Sequence, residues 1–273
     1  MLNCTRASGL TFLFPEGDTV VGQALQRYGE FAGPEVDFLV EAATAAEGRF
    51  LDIGANIGAI ALPFARRAPG WRVTAVEPHR GLCSVLAANT HANHLENVEV
   101  VNAAAGAVRT IVDFPTLPLD QKLNFGDSGF HQNAPLTPVL QLPADALGAD
   151  AAVIKVDVQG FEAEVLKGSS EILRTGRALW FIEKPATPES RREVFETLQA
   201  AGCEIFWFFS PFGTRRSPRP RARNDRVNGD DNWVATPAGV SSPWPLTRVA
   251  DAEEPRPHHV DAYPYLRRYG LGA

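Results

Sequence analysis

The segment Leu51-Asp52-Ile53-Gly54-Ala55-Asn56-Ile57-Gly58 constrains this chain more than any other, because it closes the short apolar run Phe50–Ile53 with a glycine-rich turn. Glycines there permit a sharp strand-to-helix turn and let a ligand approach the backbone closely. From Arg49 onward, short apolar runs alternate with amphipathic stretches. Strands are predicted at Phe50–Ile53, Arg72–Val76, Val98–Val101, Ala152–Val156, Leu179–Ile182 and Glu204–Phe208, with Asn232–Ala235 as a candidate last strand. Helices are predicted over Ala59–Arg67, Gly81–His91, Glu162–Leu173 and Glu189–Ala201. Short apolar strands separated by amphipathic helices imply parallel strands buried on both faces. The expected fold class is therefore α/β, with a doubly wound, Rossmann-like sheet.

Around this core, residues 1–48 form an N-terminal cap or lead-in, with a strand at Leu10–Phe14 and a helical pattern running through Phe38 to Gly48. The core spans 49–236 and is interrupted at about 110–148 by a stretch holding Pro115, Pro118, Pro135, Pro138 and Pro143, read as an insertion of loops. Residues 237–273 are a Pro-rich tail that either wraps the surface or frays. Lys+Arg 26 against Asp+Glu 32 gives a net charge of −6, which argues against a nucleic-acid partner. Arg215–Arg226 holds six of the arginines, and without it the chain carries −11. Three cysteines, Cys4, Cys83 and Cys203, supply neither a disulfide framework nor a CxxC knuckle, which fits a reducing compartment. The longest apolar run, Ile57–Ala65, is too short to span a bilayer. The expectation is a soluble, cytoplasmic protein with no membrane span and an oligomeric state the sequence does not specify.

Glu77 ends the next predicted strand, 19 residues after Gly58. An acid there can accept both hydroxyls of a ribose at the switch point of a doubly wound sheet. A dinucleotide fingerprint needs G-x-G-x-x-G, and only Gly54 matches, because Asn56 and Ala59 fill the other glycine positions. Asp52 is awkward beside a pyrophosphate but useful beside a cation. The D-x-G-x-x-x-G turn with Glu77 therefore favours S-adenosylmethionine (SAM) over NAD.

The strings FLDIGANIGAIAL, VEP, NAAAG, NFGDSGF, IKVDVQGFEAEVLKG and WFIEK resemble the FkbM family of class I SAM-dependent methyltransferases, over roughly residues 25–236. The resemblance implies a seven-stranded sheet with its last strand antiparallel. It also implies methyl transfer mostly to hydroxyl oxygen, often on sugars or polyketide-type products, with S-adenosylhomocysteine (SAH) as the other product. Two positions depart from the family pattern: Gln159 stands where Glu is common, and Asn124-Phe125-Gly126-Asp127 replaces an NFGG-like stretch. The resemblance also suggests that the lead-in closes over the methionine end of SAM, with Glu30 near it; an ordinary surface turn is the alternative.

The expected SAM contacts are Glu30, Asp52, Gly54, Ala55, Asn56, Gly58, Glu77, Pro78, Asn102, Ala103 and Asp157. Small Ala103 leaves room for an adenine ring, with Asn102 hydrogen-bonding nearby. An aliphatic hydroxyl is a poor nucleophile until a base takes its proton. Asp157, at the end of the Ile154–Val156 strand, is the first candidate base, with a helix N-cap as its alternative role. Glu183 is the second, with an ion pair to Lys184 as its alternative. His131 is the third, if the insertion folds over the site. Asn124, Gly126, Gln159 and Arg219 are the candidate acceptor contacts, and Arg219 with its neighbours suits an anionic or sugar-containing small molecule; a solvated loop is the other reading. Asp157, Glu183 and Asp127 can in principle gather Mg²⁺, but no spacing demands it and no metal ligand is assigned. Three rivals stay open: an N-methyltransferase on the same fold, an NAD-linked oxidoreductase, and a SAM-binding protein without catalysis.

Overall fold

The computed structural model describes residues 1–127, 129–130, 133–222 and 225–271. The chain opens with an antiparallel hairpin, β1 (Leu2–Ala7) and β2 (Leu10–Pro15). Then come α1 (Val21–Tyr28), α2 (Gly33–Ala42), β3 (Gly48–Ile53), α3 (Ala61–Arg67), β4 (Trp71–Val76), α4 (Arg80–Ala92) and β5 (Val98–Val101). The insertion supplies β6 (Ala104–Ala105), β7 (Thr110–Pro115) and β8 (Leu136–Leu142). The chain continues through α5 (Ala144–Gly148), β9 (Val153–Val156), α6 (Glu162–Lys167), α7 (Ser170–Thr175), β10 (Leu179–Glu183) and α8 (Pro188–Ala200). It closes with β11 (Cys203–Pro211), β12 (Gly229–Pro237) and β13 (Thr247–Arg248).

The central sheet has the order β13-β11-β12-β10-β9-β3-β4-β5. Strands β5, β4, β3, β9 and β10 are parallel, and β12 enters antiparallel between β10 and β11. The sheet has eight strands where seven were expected: the expected antiparallel strand is β12, and the tail adds β13, a two-residue strand at the β11 edge. Side chains of the inner strands are buried almost throughout, as both-face coverage requires; Trp180, Trp207 and Trp233 are each at most 1% exposed.

Several segments fold differently from expectation. The 110–148 stretch is not a set of plain loops, because β7 and β8 pair over six residues and β8 also pairs with β6. Of its prolines, Pro115, Pro135 and Pro143 sit at strand ends, Pro138 lies on β8 and Pro118 in the loop after β7. The helix expected over Glu162–Leu173 breaks into α6 and α7 at Gly168, where any Cβ would lie 2.1 Å from the Gly106 carbonyl oxygen. Among its described residues the tail wraps the surface: Trp244, Tyr263, Tyr265 and Leu266 are buried. The Tyr265 hydroxyl donates to the Phe209 carbonyl and accepts from the Phe209 amide, so the tail covers part of the β11 edge.

Two asparagines one turn apart, Asn89 on α4 and Asn93 at its C-terminal cap, hold the hairpin. Asn89 accepts from the Leu13 amide at 2.7 Å and donates to the Leu13 carbonyl, while Asn93 does the same for Thr11. Their side chains supply the hydrogen bonds a neighbouring strand would give the β2 edge. This fixes the lead-in against the core, and β2 leads through a short turn to Val20 and Val21, which line a cavity at the sheet edge.

Candidate active site

The turn after β3 crowds the backbone of two strands together. Gly54 has φ +86°, and a Cβ on it would stand 1.8 Å from the Asp157 carbonyl oxygen, so only glycine fits. The Gly54 and Ala55 amides both donate to the Val76 carbonyl at 2.9 Å. Asn56 has φ +51°, and its side-chain amide donates to the Phe125 carbonyl at 3.1 Å. Gly58 also has positive φ, but it packs toward Leu86 and Leu62 and lines no described cavity. It shapes the turn rather than facing a ligand.

Glu77 follows β4 and is 5% exposed. Its two oxygens accept from the Asn56 and His79 amides, each at 2.8 Å. Burial pushes its pKa up to about 7. His79 caps α4, its Nδ1 accepting from the Leu82 amide and its Nε2 meeting the Leu117 carbonyl. Burial lowers the His79 pKa, in keeping with a neutral imidazole. Asn102 ties the same corner by donating to the Glu77 and Pro78 carbonyls, and it too lies outside the cavity lining.

Two cavities meet at Gly54, Asn56, Gly126 and Asp157. The first, about 500 Å³ of empty space, is lined by Val76, Glu77, Pro78, Ala103 and a set of phenylalanines. Phe114 from β7 meets Phe130 at 5.1 Å, and Phe130 meets Phe161 at 4.4 Å, so the inserted sheet walls the cavity. A flat apolar slot beside a carboxylate suits a nucleoside.

The second cavity, about 990 Å³, is acidic. Asp52, Asp127, Asp157, Glu183 and Asp230 line it with Asn124 and Gln159, and Lys155 is the one cation among its described lining residues. Lys155 pairs opposite Asp52 across β9 and β3, and its Nζ lies 2.9 Å from Asp157 and 3.9 Å from Asp52. Burial works against its ammonium, but Asp157, Asp52 and Glu35 together hold its pKa above the ordinary value. Burial also opposes ionisation of Asp157, and Lys155 with hydrogen bonds from Glu183 and Gln159 overcomes it, so the Asp157 pKa is lowered. Glu183 is pushed well above the ordinary range by burial and by the neighbouring Asp157 charge. Gln159, held at φ +53°, donates to both Asp157 (3.0 Å) and Glu183 (2.6 Å). Asp157 is thus the weaker base of the two and Glu183 the stronger, the separation that marks an acid–base pair.

Asp52 is 1% exposed, and among the described residues neither of its oxygens has a hydrogen-bond partner, the Lys155 ammonium staying 3.9 Å away. Burial raises its pKa to about 6. A buried carboxylate left in this way calls for a cationic donor, and the ammonium of SAM is such a donor. Phe31 and Phe212 stack at 5.2 Å on the cavity wall, bringing the lead-in and the β11–β12 loop to the site.

The structure does not bring every expected residue here. Glu30 turns away, accepting from Ser217 Oγ at 2.5 Å, and lies outside the lining. Arg219 donates to the Leu25 and Arg6 carbonyls and clamps the end of α1 instead of facing the cavity. His131 lies outside the described residues. Lys155, Asp230 and Glu35 were not singled out from the sequence. A lone lysine within an apolar strand was the available signal for Lys155, since such a charge is costly unless paired. Nothing local marked Asp230 or Glu35. Glu35 sits behind the cavity, accepting from Ser210 Oγ at 2.7 Å, with its pKa raised by burial to about 7. Among the described residues no cluster of His, Cys, Asp and Glu has a metal-holding arrangement, and no helix is long and apolar enough to cross a membrane.

A parallel sheet closed by an antiparallel penultimate strand, with a glycine turn and acid at its carboxyl edge, defines a class I methyltransferase of the SAM-dependent type. A family model described as the methyltransferase FkbM domain matches residues 52–205, more than half of the chain, and the protein belongs to that family. Solved structures of similar fold include the methyltransferase FkbM of Methylobacillus flagellatus, at 18% identity and TM-score 0.43, covering 69% of this chain and 44% of that one. They also include TYW2 of M. jannaschii in complex with AdoMet, at 12% identity and TM-score 0.49, covering 91% and 87%. A third is a SAM-dependent O-methyltransferase of Thermotoga maritima, at 16% identity and TM-score 0.45, covering 76% and 66%. This chain spans less than half the length of the Methylobacillus flagellatus protein. No curated protein matches the sequence.

Proposed function

We propose that this methyltransferase acts on a hydroxyl oxygen of a neutral small molecule, of the carbohydrate or secondary-metabolite class. Bound SAM supplies an activated methyl group on a sulfonium leaving group. Asp52 would hold its ammonium, the backbone of Gly54 and Ala55 would border its methionine end, and Glu77, Pro78 and Ala103 would border its adenosine. The observation that carries the proposal is the Asp157–Gln159–Glu183 arrangement at the carboxyl edge of the sheet. Lys155 keeps Asp157 charged, so Glu183 is the group whose raised proton affinity suits it to take a hydroxyl proton. This exchanges the roles expected from the sequence, with Asp157 as the anchor. The acid lining, and Arg219 facing elsewhere, speak for a neutral acceptor over the anionic one considered above. The absence of a nucleic-acid partner remains part of the proposal and rests on the net charge of −6.

A panel of neutral polyhydroxylated acceptors incubated with SAM should yield products heavier by one methylene. On the best of them, Glu183→Gln should lower kcat by ~10²–10⁴-fold with little change in SAH affinity, the range general-base catalysis contributes. The same acidic cavity favours a second reading, N-methylation of a cationic amine. That reading wins if amines are methylated and Glu183→Gln keeps near-normal turnover.

A further inference from the structure

A third cavity, about 920 Å³ of empty space, lies between the β11–β12 loop and the C-terminal tail. It shares no lining residue with either cavity of the methyl-transfer site. Its walls combine arginines with an apolar floor, and one of those arginines is out of place. Arg221 is only 6% exposed, yet its side chain has no ion pair or hydrogen bond among the described residues, and its buried Nε has no acceptor. A buried guanidinium without a counter-charge is expensive to keep.

The loop that carries Arg221 is held in place. The Arg221 amide donates to the Thr214 carbonyl at 2.9 Å, the Thr214 amide donates to Ser217 Oγ at 2.7 Å, and Ser217 donates to Glu30. Glu30 thus serves this loop rather than the SAM end. Arg215 stands on the same wall, packed by its stem against Gly270 of the tail. Arg256 completes the set, but it is already paired with Asp231 at 2.5 Å and lies over the Phe209 ring at 5.2 Å. The one acid on the wall, Asp225, is taken by Arg27 at 2.8 Å. Two guanidinium groups, Arg215 and Arg221, are therefore left without a counter-charge among the described residues, in a cavity that Phe209 and Tyr263 also line.

We propose that this cavity binds an organic anion: a phosphate or carboxylate head held by Arg221 and Arg215, on an apolar or aromatic body that lies against Phe209 and Tyr263. A guanidinium fork matches both head groups in geometry, and the volume suits a small organic molecule. The proposal is independent of the methyl-transfer assignment.

Phenyl phosphate, phenylacetate and inorganic phosphate serve as probes, titrated calorimetrically into the full chain at low salt. At least one of the two aromatic probes should bind and raise the melting temperature, and the tighter of the two identifies the head group. Inorganic phosphate should bind more weakly than phenyl phosphate. Arg221→Met, which keeps the stem and removes the charge, should weaken aromatic-probe binding at least about tenfold, the effect of losing charge-assisted hydrogen bonds. SAH binding by the same variant should be unchanged, which shows that it is folded. If Arg221→Met does not fold, Arg215→Ala replaces it, because Arg215 is exposed, and should weaken binding several-fold. Failure of the wild type to bind either aromatic probe at millimolar concentration overturns the proposal. So does undiminished binding in the folded arginine variant, or inorganic phosphate binding as tightly as phenyl phosphate.

Discussion

The glycine turn and the carboxylate–lysine cluster share Asp52 and sit side by side, yet they are built in opposite ways. The turn is local: Gly54, Asn56 and Glu77 lie within one β-α-β unit, and backbone hydrogen bonds to Val76, Asn56 and His79 hold it. The cluster is assembled from five elements: Glu35 on α2, Asp52 on β3, Lys155 and Asp157 on and just after β9, Glu183 on β10 and Asp230 on β12. The turn depends on steric fit, whereas the cluster depends on charge balance, with Lys155 holding apart the acids that surround it. A steric site tolerates no added atom, and a charge-balanced site tolerates no removed one.

Lys155→Met should have the largest effect, because it leaves buried carboxylates without their cation. A stability loss of ~3–5 kcal/mol is expected in urea denaturation, the cost of breaking a buried pair from one side; an unchanged midpoint would show that the cluster is not balanced by Lys155. Next comes Glu77→Ala, which removes the acceptor for two turn amides as well as the nucleoside-facing acid. Calorimetry should show SAH affinity weakened by ~1.5–3 kcal/mol, and an unchanged affinity would separate Glu77 from the ligand. Gly54→Ala should cost ~1–3 kcal/mol through overlap with the Asp157 carbonyl, measured by thermal unfolding. If alanine is accommodated without loss, the turn is not sterically closed.

The same comparison bears on pH dependence. Burial raises Asp52 to about 6, Glu77 to about 7 and Asp230 to about 8, against roughly 4 in an unfolded chain. The folded chain then binds these protons more tightly than the unfolded one. Their contribution is fully present below about pH 4 and is lost as pH rises through 6 to 8. Asp157, with its lowered pKa, works in the opposite sense at acidic pH. The ligand-free urea midpoint should therefore be lower at pH 8 than at pH 5.5, and a rise over that range would contradict these shifts.

The same contrast explains what the sequence revealed. The strand–helix rhythm, the turn and Glu77 were legible because their residues are neighbours or end successive strands. Asp157 and Glu183 were legible because strand ends meet at one edge of a parallel sheet. Asp230 and Glu35 were not, because only the antiparallel entry of β12 and the docking of α2 bring them near β9. Arg219 and Glu30 misled for a related reason: a charge count cannot tell a side chain that faces a ligand from one that binds a helix end or a loop hydroxyl. The 110–148 stretch looked like loops because its prolines hid the β7–β8 pairing.

The central claim is that Asp52, buried without a hydrogen-bond partner, waits for the cationic end of SAM. Calorimetric titration of SAH into the wild type and into Asp52→Asn tests it most directly. The wild type should bind SAH and not NADH, and Asp52→Asn should bind SAH at least about tenfold more weakly, since asparagine cannot offset the ammonium charge. Equal affinity in the two proteins, or NADH binding without SAH binding, would contradict the account.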